Sequence, residues 1–118
     1  MNPTSFSATV RQRPGVSVVE LTGDMNGDAE AALSAAYSEA AAGNPATVLL
    51  NFAAIGYINS TGIALIVGLL ARSRKEQRAL VACGLSDHYQ EIFQITRLAD
   101  FVRIFFDEES AVADQTAA

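Results

Sequence analysis

From residue 28 onward, segments with helical spacing alternate with short apolar, β-branched runs that are too brief to stand as helices. Few architectures accept that order. Strands separated by a single helix run parallel, because the crossover carries the chain back to the same end of the sheet, and right-handed crossovers lay the helices over it. Helical spacing covers 28–42, where Ala29, Ala32, Leu33, Ala36, Tyr37 and Ala40 recur before Gly43, Asn44 and Pro45 stop it. It returns over 62–74, with Ile63, Leu65, Ile66, Val67, Leu69 and Leu70, and over 86–95, where Ser86 is the expected N-cap. The strand-like runs are 47–52, 79–83 and 102–106, and a short extended segment passes through Ile55, Tyr57 and Ile58. Upstream, 6–10 and 16–21 flank Pro14 and Gly15 as the arms of a hairpin would. An acidic stretch, 107–113, suits a short final helix, and the tail from about 114 is expected to fray. The fold class is α/β.

Half of the 118 residues are apolar and 18% are charged, the balance of a folded domain with one core, so 1–118 reads as a single domain. A net charge of −5 argues against a nucleic-acid partner, since backbone affinity needs clustered Lys and Arg. Only Arg72, Arg74, Lys75 and Arg78 cluster, at the expected end of a helix, where cations complement the dipole. No apolar run approaches the ~20 residues of a membrane span, and Met1 to Ser7 lacks the charged and apolar regions of a leader, so the expectation is a cytoplasmic protein without a membrane partner. Cys83 is the only cysteine, at the end of a strand-like run, and reads as a small buried apolar residue.

The chain's functional clue is the junction Asn59, Ser60, Thr61, Gly62, where an extended run gives way to the second helix. A helix start presents backbone N–H groups without intrahelical acceptors at the positive end of the dipole, so a phosphate on Ser60 or Thr61 is structurally tolerable there. The competing reading is that the two hydroxyls only cap the helix. The apolar residues of the helix that follows cover more than one face, consistent either with packing on two sides or with an apolar surface left for a partner, a second copy included. Enzyme chemistry finds little support: His88 is the only histidine, and the chain has no nucleophile elbow, Cys-x-x-Cys pair or glycine-rich phosphate loop. Asp24, Asn26 and Asp28 begin like a calcium loop, but Ala29 and Ala35 stand where glycine and the bidentate acid belong; a turn and helix cap fit better, with no metal and no cofactor.

With those residues placed, the chain resembles the STAS-domain family of bacterial anti-sigma factor antagonists over nearly its whole length. Val18 to Asp24 is similar to the family's second strand and the turn after it, Val48 to Phe52 to the third strand, and Tyr57 to Ile63 to the phosphorylation loop. The resemblance implies a mixed sheet of four to five strands with helices mainly on one face. It implies Thr61 as the phosphoacceptor, with Ser60 the second choice, and a partner face comprising Asp24, Asn26, Asn59, Ser60, Thr61, Gly62, Ile63 and Ile66. Gly62 would allow a close backbone approach. Asn51 and Asn59 stand where relatives commonly carry aspartate, and both are expected to lower the negative charge near the hydroxyls. The implied role is partner switching without catalysis by this chain: an anti-sigma factor serine/threonine kinase binds the unmodified domain, its phosphorylation ends the complex, and a metal-dependent phosphatase restores it. A non-switching module, such as a stressosome-like scaffold or a transport-complex subunit, is the alternative.

Overall fold

A strand sends successive side chains to opposite faces, so Val48, Leu49 and Leu50, all fully buried, require a sheet covered on both sides. The computed structural model describes residues 5–116. Among them, β1 (Ser7–Arg13) and β2 (Val16–Met25) are followed by a 3-10 turn (Gly27–Ala29) and α1 (Glu30–Ala41). Next come β3 (Thr47–Ile58), α2 (Ser60–Lys75), β4 (Ala79–Cys83) and α3 (Asp87–Ile95), then a second 3-10 turn (Leu98–Asp100), β5 (Arg103–Phe105) and α4 (Glu108–Thr116). The five strands lie in the order β1-β2-β3-β4-β5, antiparallel in the first pair and parallel in the others. This is the mixed α/β sheet expected, with the hairpin at its edge turning on Gly15 at φ 75°. No helix of the described residues is long and apolar enough to cross a membrane.

The larger core joins Val19, Leu21, Val48, Leu50, Phe52, Leu80 and Ala82 of the sheet to Leu33, Ala36 and Tyr37 of α1, Ile66, Leu69 and Leu70 of α2 and Phe93 of α3. Three helices therefore share one face. The other face carries Val16, Val18, Leu49, Val81 and Cys83 beneath Ala111 and Val112 of α4. Burial pushes the Cys83 thiol up to about 12, with Glu108 and Asp107 adding to the shift, which leaves it an apolar packing residue.

Two elements extend beyond their expected ends, for physical reasons. β3 is one strand to Ile58, because β2 stays beside it as far as Met25; the register shifts between Glu20 and Thr22 and again between Gly23 and Asp24. Each shift adds a residue on β3 and breaks the period-two pattern, which makes one strand look like two segments. α4 runs to Thr116 rather than fraying from about 114: Asp114 accepts from Arg103 at 2.7 Å, and Thr47 Oγ1 donates to Gln115 Oε1 at 3.0 Å. Residues 117 and 118 of that expected tail, and 1–4 of the expected leaderless start, lie outside the described residues.

Candidate functional site

β2 and β3 outrun β4 at their C-terminal ends, so the turn after β2 and the start of α2 meet at one end of the sheet. Asp24 is level with Tyr57, and Met25 with Ile58. The Asn59 N–H then donates to the Met25 carbonyl at 3.1 Å, which ties the two chain segments together. Tyr89 Oη accepts the Ile58 N–H at 2.8 Å, so α3 holds the same point from its other side. Tyr89 is itself placed by the α3 cap, its N–H donating to Ser86 Oγ at 3.3 Å, as expected of Ser86.

The residue that caps α2 is Asn59. Its extended backbone leads into the helix, its Oδ1 accepts the Gly62 N–H at 2.8 Å, and its carbonyl accepts the Ile63 N–H at 3.0 Å. Ser60 and Thr61 occupy the first two helical positions, where N–H groups have no intrahelical acceptor. Both side chains are exposed, and neither hydroxyl is engaged in a hydrogen bond among the described residues. Capping by the hydroxyls is therefore replaced by capping by Asn59. No acid lies in the first turn of α2, and Arg72, Arg74 and Lys75 lie in its last turn.

Gly62 is buried because nothing larger fits. A Cβ there would stand 2.3 Å from the Met25 carbonyl oxygen and 2.9 Å from Ile58 Cγ2. Thr61 faces the turn after β2, its Cγ2 3.6 Å from where a Cβ on Gly27 would lie. In that turn Asn26 Oδ1 accepts the Asp28 N–H at 2.9 Å and caps the 3-10 helix leading into α1, the turn-and-cap role expected of these residues. Asp24 is half-buried at the end of β2, its Oδ1 3.1 Å from a Cβ position on Gly56.

Asp24, Asn26, Asn59, Ser60 and Thr61 thus gather at one end, with Ile63 half-buried against the core. Ile66 does not join them. It is 0% exposed, on the inner stripe of α2 with Leu69 and Leu70, so it packs the helix and cannot touch a partner. Asn51 is also displaced from its expected place near the hydroxyls: it points to the α4 face, where its Nδ2 donates to Glu108 Oε1 at 3.1 Å. An aspartate there would face Glu108, so asparagine serves the α4 contact. Outside its inner stripe, α2 leaves Ala64, Val67, Gly68 and Ala71 exposed while Ile63 and Leu65 pack partly against neighbours, so packing accounts for only part of its apolar excess.

The basic cluster is mostly held in place. Arg72 donates to Ser38 Oγ at 2.8 Å, pairs with Glu76, and lies 4.5 Å from the Tyr37 ring centroid; Arg78 donates to Glu76, Asn44 and the Pro45 carbonyl. Tyr37 donates its hydroxyl to Glu76 at 2.9 Å, and burial first, then that bond, pushes its pKa up to about 12. His88 is exposed, its ring edge-on to Tyr89 at 4.9 Å. Two contacts that position the α2 start had no signal in the sequence: the Met25 carbonyl is backbone, and the Tyr89 bond spans 31 residues.

With this geometry in view, a family model described as "Mlab, STAS domain" matches residues 8–104. The chain belongs to the STAS-domain family. An anti-sigma-B factor antagonist of Listeria monocytogenes is 40% identical over 50 residues, 42% of this chain and 44% of that protein. A Staphylococcus aureus protein of the same name is 32% identical over 57 residues, 48% of this chain and 53% of its own. The STAS domain described here thus aligns with about half the length of the curated relatives it matches. In structure it is similar to an anti-sigma factor antagonist from Mycobacterium paratuberculosis, with TM-score 0.83 and 19% identity over 98% of each chain. It is also similar to the Bacillus cell fate determinant SpoIIAA in its phosphorylated form, with TM-score 0.64 and 20% identity over 93% of this STAS domain and 98% of that chain. At those identities the likeness is one of fold.

Proposed function

We propose that this STAS domain is an anti-sigma factor antagonist that works by partner switching. Unmodified, it binds an anti-sigma factor serine/threonine kinase in the cytoplasm; the kinase phosphorylates Thr61 and is released, and a metal-dependent phosphatase resets the domain. The names of the relatives support the role. The observation that carries the switch is that Thr61 is exposed at the second position of a helix already capped by Asn59, so its hydroxyl can be modified without loss of a structural bond.

A phosphate adds about −1.5 to −2 charges at neutral pH, and the helix start accommodates it through the free N–H groups and the dipole. Thr61 also borders the turn that carries Asp28. The added charge therefore leaves the domain folded while making the docked face repulsive and costly to desolvate. Asp24, Asn26, Asn59, Ser60 and Ile63 surround the modified group, and Gly62 acts by letting α2 begin against β2. Catalysis resides in the partners, not in this chain.

The test is calorimetric binding of the kinase to purified domain. Thr61→Glu is expected to weaken binding at least about tenfold. Equal affinity of Thr61→Glu and the unmodified domain would overturn the reading.

A further inference from the structure

α2 carries a second exposed surface toward its far end, on the side away from α1. Val67, 46% exposed, Leu70 and Ala71 border a cleft of about 380 Å³ whose opposite wall is Phe101, 54% exposed. A neighbouring cleft of about 360 Å³ shares Leu70, Arg74 and Phe101 and adds Arg103 of β5. An apolar trough is thus bordered by guanidinium groups in a chain of net charge −5.

The pairing of the charges around it identifies what is missing. Arg78 is held by Glu76, Asn44 and the Pro45 carbonyl, and Arg103 by Asp114. Asp100, beside Phe101, is taken by Arg97 at 2.7 Å. Arg74 lies over the Phe101 ring at 5.1 Å from its centroid and has no carboxylate partner among the described residues. An exposed aromatic ring with a guanidinium on its face offers an apolar contact and a charge contact side by side.

We propose that this trough docks an acidic amphipathic segment of a partner protein, with its apolar side chains between Val67 and Phe101 and a carboxylate on Arg74. Charge complementarity favours that occupant, since a basic segment would meet Arg74 as a like charge with no carboxylate beside it among the described residues, Arg103 being held by Asp114. Along α2 the surface begins about 9 Å from Thr61, at Val67, and reaches about 20 Å at Arg74, taking the helix rise per residue. A phosphate on Thr61 therefore makes no contact with Arg74 or Phe101.

The experiment is an amide chemical-shift titration of the full chain with a helical peptide of about four turns, leucine along one face and glutamate beside it, and with its lysine-for-glutamate counterpart. The acidic peptide is expected to shift Val67, Ala71, Arg74 and Phe101, and the lysine peptide to bind at least about tenfold more weakly. Arg74→Glu, at an exposed position where retained shift dispersion verifies the fold, reverses that preference, and Thr61→Glu leaves it unchanged. No shift at these residues overturns the proposal, as does an equal response to both peptides. Shifts on concentrating the protein alone assign the trough to a second copy, and shifts only with phosphatidylglycerol vesicles assign it to lipid; either result overturns the proposal as well.

Discussion

At Gly62, helix propensity and packing make opposite demands. In an open helix, Gly→Ala is worth about 1 kcal/mol in favour of alanine. Here the new Cβ would stand 2.3 Å from a backbone oxygen, the Met25 carbonyl, on a strand that cannot move aside without breaking the Asn59–Met25 bond. Overpacking of that kind typically costs about 1–3 kcal/mol. Gly62→Ala is therefore expected to lower stability in urea unfolding despite its better propensity, and an unchanged or raised midpoint would refute the close-approach account. The close approach was legible through the family resemblance, which singles out Gly62; by itself a glycine in the first turn of a helix is simply tolerated. The burial of Ile66 was not, since the apolar excess of α2 leaves its inner direction ambiguous until α1 and the sheet are placed. Asn51 shows the same limit: the alternation along β3 sends its side chain to the α4 face, and the two register shifts further along conceal where the strand ends.

Among the elements, α4 is fastened differently from the other helices. Only Ala111 and Val112 enter its small apolar core, and its N-terminal turn is held by Glu108, which accepts from Arg11 Nη2 and Nη1 at 2.7 and 3.1 Å, from Arg13 at 2.7 Å and from Asn51. The Arg11 bonds, then those from Asn51 and Arg13, outweigh burial and bring the Glu108 carboxyl down to about 2. A carboxyl depressed on folding stabilises the native state above its unfolded pKa, and that contribution is lost as pH falls from about 4.5 toward 2. Glu108→Gln keeps the shape and removes the charge. It is expected to cost about 1–2 kcal/mol near neutrality and to flatten the acid limb of a stability–pH profile between those values, as measured by denaturant titration. A variant with an unaltered acid limb would show that Glu108 does not hold α4. The sequence marks this stretch as acidic and helical but cannot show that its acids are anchors, because the arginines that bind Glu108 lie more than 90 residues away.

For the whole molecule, the alternation of helical and β-branched segments already specifies parallel strands and a layer of helices, and the hairpin supplies the single antiparallel edge. The consequence of that topology is positional: parallel pairing of β2 with β3 brings their C-terminal ends together, so that the turn at Asn26 and the start of α2 form one surface. In the proposed switch, a phosphate on Thr61 would alter that surface without disturbing either core, because Thr61 is exposed and belongs to neither. The most direct test is site-resolved mass spectrometry of the protein isolated from its native cells under growth and stress, with phosphatase inhibited throughout. Phosphate on Thr61 whose occupancy changes with condition is the predicted result. Its absence under every condition, or its presence only at residues away from the α2 start, would contradict the switch.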